Sequence, residues 1–370
     1  MNYKTAYSVS RSVATATDEL KAQLSEIKPA MVLFFASPVY PPEEISEKMA
    51  QAFPDSKVFG CSSSGEIVSG KMLDQSIVAM AFSSEVIEDV TIEVINDLQQ
   101  PESSIATAVS NISTHYGMPL QEMDYKTYAG ILLIDGLSGS EETVIDLVGN
   151  YTNIAVVGGS AGDDLAFKQT HVYANGKAYN NAALLAVLKP KNEFGIIKTQ
   201  SFNPGAKNLT VTKTNEARRE VLEFNDKPAA VAYAEALNTS KEELPAKMFR
   251  SPLGLMIDET EPFVRSPRVV ENDSVFFYCA VKEGMELNVL ESTDIVKDTK
   301  EAIAGKKEEL GDISAILNFH CILRTLDLKE QQRTDEYGKI FRDIPTIGFS
   351  TYGECYLGHI NQTSTMLVFK

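Results

Sequence analysis

Serine held between glycines and followed by an acid recurs along this chain. Gly60-Cys61-Ser62-Ser63-Ser64-Gly65-Glu66 and Gly348-Phe349-Ser350-Thr351-Tyr352-Gly353-Glu354 share the pattern G-x-S-x-x-G-E, and Gly159-Ser160-Ala161-Gly162-Asp163 is a shortened relative. Glycines beside serine permit positive φ and close backbone approach, while serine supplies a small donor and acceptor. The acid at the loop exit suits a ligand that brings donors, such as an ammonium group. It repels phosphate, and no lysine follows as in a P-loop. The competing reading is a set of tight turns whose serines and acids cap nearby backbone. In the ligand reading, Glu66, Asp163, Asp164 and Glu354 face cationic or hydroxyl groups, and Ser62, Ser160, Ser350 and Asn361 complete the hydrogen bonds.

Two arginines sit where a sheet is expected: Arg265 within Phe263–Val270, and Arg324 ending Ala315–Leu323. Arginine near a sheet interior needs a partner. The alternatives are a bidentate clamp on a ligand carboxylate and an internal salt bridge to Glu354 or Glu66. The histidines at 115, 171, 320 and 359 have no H-x₃-H or HExxH spacing, so no metal site is expected; His320 in an apolar run reads first as a core residue. The four cysteines (Cys61, Cys279, Cys321, Cys355) form no C-x-x-C pair, which argues against a disulfide framework and a structural zinc. Cys61 and Cys355 flank repeat copies and read as small buried hydrophobes, or as a redox pair if the copies meet. Gly158–Gly162 also fits the nucleophile-elbow pattern G-x-S-x-G, with Ser160 as nucleophile of a serine hydrolase. Asp163–Thr170 leads to a hairpin instead of the required helix, and two carboxylates beside Ser160 disfavour an oxyanion, so no enzyme activity is expected.

The elements that would position these residues alternate between helix and strand in the first half. Thr17–Ile27, Pro41–Phe53, Ser103–His115 and Glu141–Tyr151 pattern as helices; Met31–Ala36, Lys57–Cys61, Ser76–Phe82, Ala129–Leu137 and Ile154–Val157 as strands. The second half is richer in strands, including Leu253–Ile257 and Phe263–Val270, with helices at Lys227–Leu237, Asp294–Leu310 and Ser240–Met248, the last opened by a capping box from Ser240 to Glu243. The fold class expected is α/β to α+β: two related, closely packed domains with mixed sheets, 1–220 and 221–370, the second more β-rich. A length of 370 residues agrees, because single cores stop growing near roughly 250–300. Composition (44% hydrophobic, 23% charged) is that of a globular protein. With 34 basic against 51 acidic residues, net −17, nucleic acid and anionic membrane are poor partners. The N-terminus lacks a signal-peptide core and no apolar run is of spanning length, so a cytoplasmic location is expected.

The strings VFGCSSSGEI, VVGGSAGDDL, FVRSPRVVENDSVFFYCAVKEGMEL, FHCILR and GFSTYGECY…HINQTSTMLVF, in this order, resemble the FIST sensory family. The resemblance runs from about residue 25 to the C-terminus and implies a FIST N domain followed by a FIST C domain. It implies a sensor of small ligands, with amino acids proposed, and both Arg265 and Arg324 match the family pattern. Some members resemble haem-binding nitric-oxide sensors that act on a histidine kinase or a cyclic-di-GMP enzyme. Haem is therefore a possible cofactor here, with His359 or His320 as its ligand. Nothing in the sequence resembles a kinase, GGDEF, EAL or methyl-accepting domain, so signalling through a separate protein is expected.

Overall fold

The computed structural model describes residues 2–256 and 261–370. Ile257, the last residue of one expected strand, lies outside them. The chain forms two compact units: unit 1 is residues 1–199, 299–359 and 364–370, and unit 2 is residues 200–298 and 360–363. Mixed sheets and helices make up the molecule, as the fold class anticipated.

Unit 1 is built from one motif used three times. Copy 1 is strand β1 (Pro29–Ala36), helix α1 (Pro42–Ala52) and parallel strand β2 (Lys57–Ser62). Copy 2 is β3 (Ala129–Ile134), α2 (Glu141–Gly149) and β4 (Ala155–Ser160). Copy 3 is β5 (Ala315–Cys321), helices α3 (Ile322–Glu330) and α4 (Thr334–Lys339), and β6 (Thr346–Thr351). Each serine-bearing loop follows the second strand of its copy. A return strand then pairs antiparallel with the first: Ile77–Ser83 on β1, Ala182–Pro190 on β3, Thr363–Phe369 on β5.

Parallel registers align the copies residue by residue. Gly60 pairs with Phe34, Gly158 with Leu132, and Gly348 with Asn318. A Cβ on these glycines would stand 1.8, 1.8 and 2.2 Å from the carbonyl oxygen of that partner, so each position admits only glycine. Gly158, not Gly159, is thus the counterpart of Gly60. Copy 2 is full length, with Asp163 in the place of the second glycine and Asp164 in that of the glutamate.

Between the loop and the return strand, each copy gives a short strand to another copy's sheet. Glu66–Val68 of copy 1 pairs with β6 of copy 3, Glu354–Cys355 of copy 3 pairs with β4 of copy 2, and Val172–Ala174 of copy 2 pairs with β2 of copy 1. The exchange is cyclic. Inner faces of the three sheets share one core, in which Phe35, Phe59, Leu133, Val157, Phe319 and Phe349 are fully buried. Such burial is worth about 1.5–3 kcal/mol for each large side chain.

Unit 2 is an antiparallel sheet whose path runs Pro262–Arg265, Leu253–Met256, Glu286–Ser292, Phe202–Asn215, Glu220–Phe224, Ser274–Phe277, Pro267–Glu271. Helix Ala229–Ala236 packs on it through Tyr233 and Phe224. The expected strand Phe263–Val270 is broken in two at Ser266. The Ser240 cap forms, its hydroxyl accepting the Glu243 N–H at 3.2 Å, but the helix beyond it is only Leu244–Lys247.

Candidate functional site

The three loops meet, and all belong to unit 1 instead of being shared one to each unit. Backbone bonds join every pair. Gly162 N donates to Ser62 O (3.1 Å), Ser64 N to Ser350 O (3.2 Å), Ser350 N to Gly65 O (2.8 Å), Ser160 N to Gly353 O (2.8 Å), and Tyr352 N to Ser160 O (3.0 Å).

The loop acids are largely consumed inside this hub. Glu66, 1% exposed, accepts from the Ser63 hydroxyl, the Ser76 N–H (3.0 Å) and the Ser76 hydroxyl (2.5 Å). Burial pushes its carboxyl up to about 8, against the donors that favour the charged form and aided by Asp164 nearby. Glu354 repeats the device, taking the Thr351 hydroxyl. Asp163 accepts the N–H groups of Phe167, Lys168 and Gln169 (2.9, 2.6 and 3.0 Å) and the Tyr352 hydroxyl (2.5 Å). Asp164 accepts the Ser37 hydroxyl at 2.9 Å, and partial desolvation of its carboxyl raises its pKa. Ser62 Oγ accepts the His171 N–H at 3.0 Å. These bonds lie within the hub and the segments beside it. Since the bonds of Glu66 are to serines, the expected Glu66–arginine salt bridge does not form.

Ser160 is 2% exposed, and its loop runs on into the exchanged strand, with no helix to make an elbow. The strand-to-helix junction lies instead in copy 3. β5 stops at Cys321, and α3 begins at Ile322 with no side-chain cap. Arg324 therefore sits in the first turn of a helix, not at the end of a strand.

Copy 3 also departs from its siblings in the layer between sheet and helices. The outer face of β1 presents Val32, Phe34 and Ala36 to an apolar cluster, and that of β3 presents Leu132 and Ile134. At the positions of Phe34 and Leu132, copy 3 has Asn318; at those of Ala36 and Ile134 it has His320. Both are fully buried. Ser364 Oγ donates to Asn318 Oδ1 (2.7 Å) and Asn318 Nδ2 to Tyr337 Oη (3.2 Å), leaving the tyrosine proton for His320 Nδ1 at 3.0 Å. The His320 proton is then on Nε2, which is buried with no partner. Burial, and secondarily Arg324, pull the His320 pKa well below its ordinary value, so the ring is neutral. Arg324, 2% exposed, donates from Nη2 to Thr299 Oγ1 (3.0 Å), and Thr325 Oγ1 bonds Ser350 Oγ at 2.7 Å. Ser350 thereby ties this polar layer to the loop hub.

Of the remaining expectations, Arg265 and Asn361 lie in unit 2. Arg265 Nη1 contacts Val264 O at 3.4 Å, and Asn361 is 1% exposed with no partner for Oδ1. Neither histidine fits haem. His359 Nδ1 is on Glu142 (3.1 Å), and its Nε2 lies 2.0 Å from where a Gly353 Cβ would be, while His320 is packed against Tyr337 with ring centroids 4.7 Å apart. Glu141, Glu142 and His359 do gather, their ligand atoms within 4.8 Å, a grouping that sequence spacing conceals and the His359–Glu142 hydrogen bond accounts for. Cys61 belongs to the inner core and Cys355 to the apolar layer outside β3. Burial lifts the Cys61 thiol well above its usual value and Cys355 to about 12, which removes the redox pairing.

The polar layer was legible in outline. Asn318 and His320 are two apart in an otherwise apolar strand and so share a face. Thr299, Thr325 and Tyr337 lie on helices, and no local pattern marks them.

Residues 30–227 match the family model of the FIST N domain and residues 229–356 that of the FIST C domain. An uncharacterized protein of Methanocaldococcus jannaschii is 24% identical over 280 residues, 70% of this chain and 53% of that protein. The chain thus spans about half the length of the curated relative it matches. Among the described residues, no helix is long and apolar enough to cross a membrane.

Proposed function

Because the chain belongs to the FIST family, whose domains serve as signal-transduction sensors, we propose that it binds a small polar ligand in the polar layer of copy 3 and regulates a separate signalling protein. It acts by binding and not by catalysis, in the cytoplasm, on a partner such as a histidine kinase or a cyclic-di-GMP enzyme. One observation carries this reading: the internal repeat supplies two apolar versions of the layer and one polar version. Exchanging Phe or Leu for Asn forgoes about 1.5–3 kcal/mol of burial and adds desolvation, a cost that the hydrogen bonds to Ser364 and Tyr337, each worth about 0.5–1.5 kcal/mol net, offset in part. The position also suits a ligand, since α/β folds bind at the carboxyl ends of parallel strands, here β5 and β6. Contact through Ser350 then reaches all three loops, and a ligand shifts the hub only by its differential affinity for two arrangements of it.

The test borrows residues from copy 2. A screen of amino acids and related metabolites by thermal shift should find a stabilising ligand. The double variant Asn318→Leu/His320→Ile should stay folded and lose that response. An unchanged response in the variant, or no stabilisation of the wild type at millimolar ligand, refutes the site.

A further inference from the structure

The exchanged strands cover the sheet edge less in copy 2 than in copies 1 and 3. Val156 stands two residues before the register glycine, where copies 1 and 3 have Val58 and Thr346. Those two are buried, at 7% and 0% exposure, while Val156 is partly exposed. Both backbone groups of Thr346 are used: its carbonyl accepts the Ser69 N–H at 3.0 Å, and its N–H donates to Ser69 Oγ at 2.9 Å. On β4 the exchanged strand pairs as far as Cys355 with Gly158 and then turns off, with Leu357 at a φ of 52° and 81% exposed. Ser160 directs its N–H and C=O to the copy 3 segment, and the alternation of a strand aims Gly158 and Val156 the same way. Among the described residues, no backbone hydrogen bond reaches Val156 from that side. The helix beside this edge is open too. In copy 1 the second strand of the exchanged hairpin, Lys177–Tyr179, packs on α1, its Lys177 carbonyl accepting the Ser46 hydroxyl at 2.8 Å. In copy 3 Lys71–Leu73 packs on α4, where a Cβ on Gly338 would meet the Lys71 backbone at 2.9 Å. In copy 2 His359 bonds Glu142 in the first turn of α2. Beyond it lies a groove of about 650 Å³, lined by Leu132 and Val156 of the sheet, Ile145 and Asp146 of α2, and the exposed side chains of Tyr125 and Leu357.

We propose that this groove docks an extended segment of a partner protein, which adds as a strand to the free edge of β4, lays apolar side chains over Val156 and Ile145, and brings a lysine or arginine to Asp146. The occupant is a strand because the sheets of copies 1 and 3 hold one at the corresponding place, and the added segment continues the line of pairing that Glu354–Cys355 begins. Its basic residue follows from the lining. Asp146 supplies the formal charge there, and α2 ends at the groove with no base in its last turn, so its carbonyl end is negative. An acidic segment is repelled by Asp146 and by a chain of net charge −17. β4 of a second copy lies recessed between the same two walls and cannot reach this edge. The docking face is separate from the ligand site proposed in copy 3, so either can fail without the other.

The experiment uses the full chain and a set of peptides of about ten residues, in which lysine and threonine alternate with valine, isoleucine, leucine or phenylalanine. Matched controls carry glutamate for lysine, or N-methyl groups on the alternate amides that would face β4. Binding is read from the Val156 amide in ¹⁵N-labelled protein, by its resonance and its hydrogen exchange. Without peptide, the Val156 amide should exchange at least about tenfold faster than that of Thr346. At least one lysine peptide should bind with a dissociation constant below about 1 mM, shift the Val156 resonance and slow its exchange at least about tenfold. N-methylation should weaken binding at least about tenfold through loss of ladder bonds, and glutamate for lysine at least about threefold. Val156→Pro removes an N–H that faces the edge and not β3, so it should keep the fold and lose the peptide. Should it not fold, Asp146→Lys carries the test, and it should reverse the preference between lysine and glutamate peptides. Peptide binding with Val156 exchange unchanged, or undiminished by N-methylation, overturns the strand addition. Equal binding of lysine and glutamate peptides overturns the basic partner. Protection of Val156 that rises with protein concentration alone makes the occupant a second copy and overturns the partner segment. Failure of every lysine peptide to bind at about 1 mM overturns the docking site.

Discussion

Replacing Glu66 by Gln should make the protein markedly more stable at alkaline pH and leave it almost unaltered in acid. In the fold, burial keeps this carboxyl protonated up to about 8, whereas the unfolded chain releases the proton near 4.5. Between those values the folded state binds more protons than the unfolded one, so stability falls as pH rises. The gap is about 8 less 4.5, or about 3.5 pH units, each worth about 1.4 kcal/mol. Most of it is crossed between pH 5 and pH 8, so the wild type should lose about 3 kcal/mol through this one group over that interval. Glutamine keeps an acceptor for the Ser76 N–H and, like the protonated acid, a donor for a neighbouring hydroxyl, with no charge to bury. Urea unfolding of both proteins at pH 5, 6.5 and 8 isolates the effect, because acids not coupled to Glu66 contribute equally to both curves. The stability difference should grow by about 3 kcal/mol towards pH 8, and should grow less in an Asp164→Asn background, where the neighbouring charge is gone. A difference flat to within about 0.5 kcal/mol across the series would refute the assignment of a buried, protonated Glu66.

Gly158→Ala should cost about 3 kcal/mol or more, since its Cβ would press on the Leu132 carbonyl and force β3 and β4 away from each other. Gly149→Ala meets nothing within 4 Å in a helix and should be neutral or gain up to about 1 kcal/mol; equal effects by thermal denaturation would contradict the register on which the copies are aligned. Tyr352→Phe removes the hydroxyl that donates to Asp163 and accepts the Leu165 N–H at 2.8 Å, where Asp164, Leu165 and Phe167 all hold positive φ. Limited proteolysis should then cut within residues 164–169, and an unchanged cleavage pattern would show that the loop does not depend on this bond.

Much of this architecture is written in local pattern. The apolar strands, the amphipathic helices between them and the serine-bearing turns announce α/β units, and the kinship of SIVAMAF with TSTMLVF foreshadows the return strands. The third full copy is hidden because Asp163 replaces the diagnostic glycine, so a motif search aligns Gly159 where the sheet register aligns Gly158. The end of β5 is hidden because Ile322 and Leu323 extend an apolar run, and a run of that length does not distinguish strand from helix. For the site, residue type misled. Acids at loop exits suggested ligand contacts, yet such groups are what tight backbone crossings need for their own N–H and hydroxyl donors. The arginine and histidine beside them become informative only when the three copies are superposed and two lack them.

The cyclic exchange of short strands sets a condition on biosynthesis. Sheet 1 is finished by a segment of copy 2, sheet 2 by a segment of copy 3, and sheet 3 by a segment of copy 1, like three people who can sit only on one another's knees. As a ribosome releases the chain, copies 1 and 2 emerge first and must wait, with β4 lacking its neighbour, while about a hundred residues of unit 2 are made. The stretch recognised as a FIST N domain ends at residue 227, before any of copy 3 exists. That boundary marks an evolutionary segment, and the thermodynamic unit closes only when the last strand arrives.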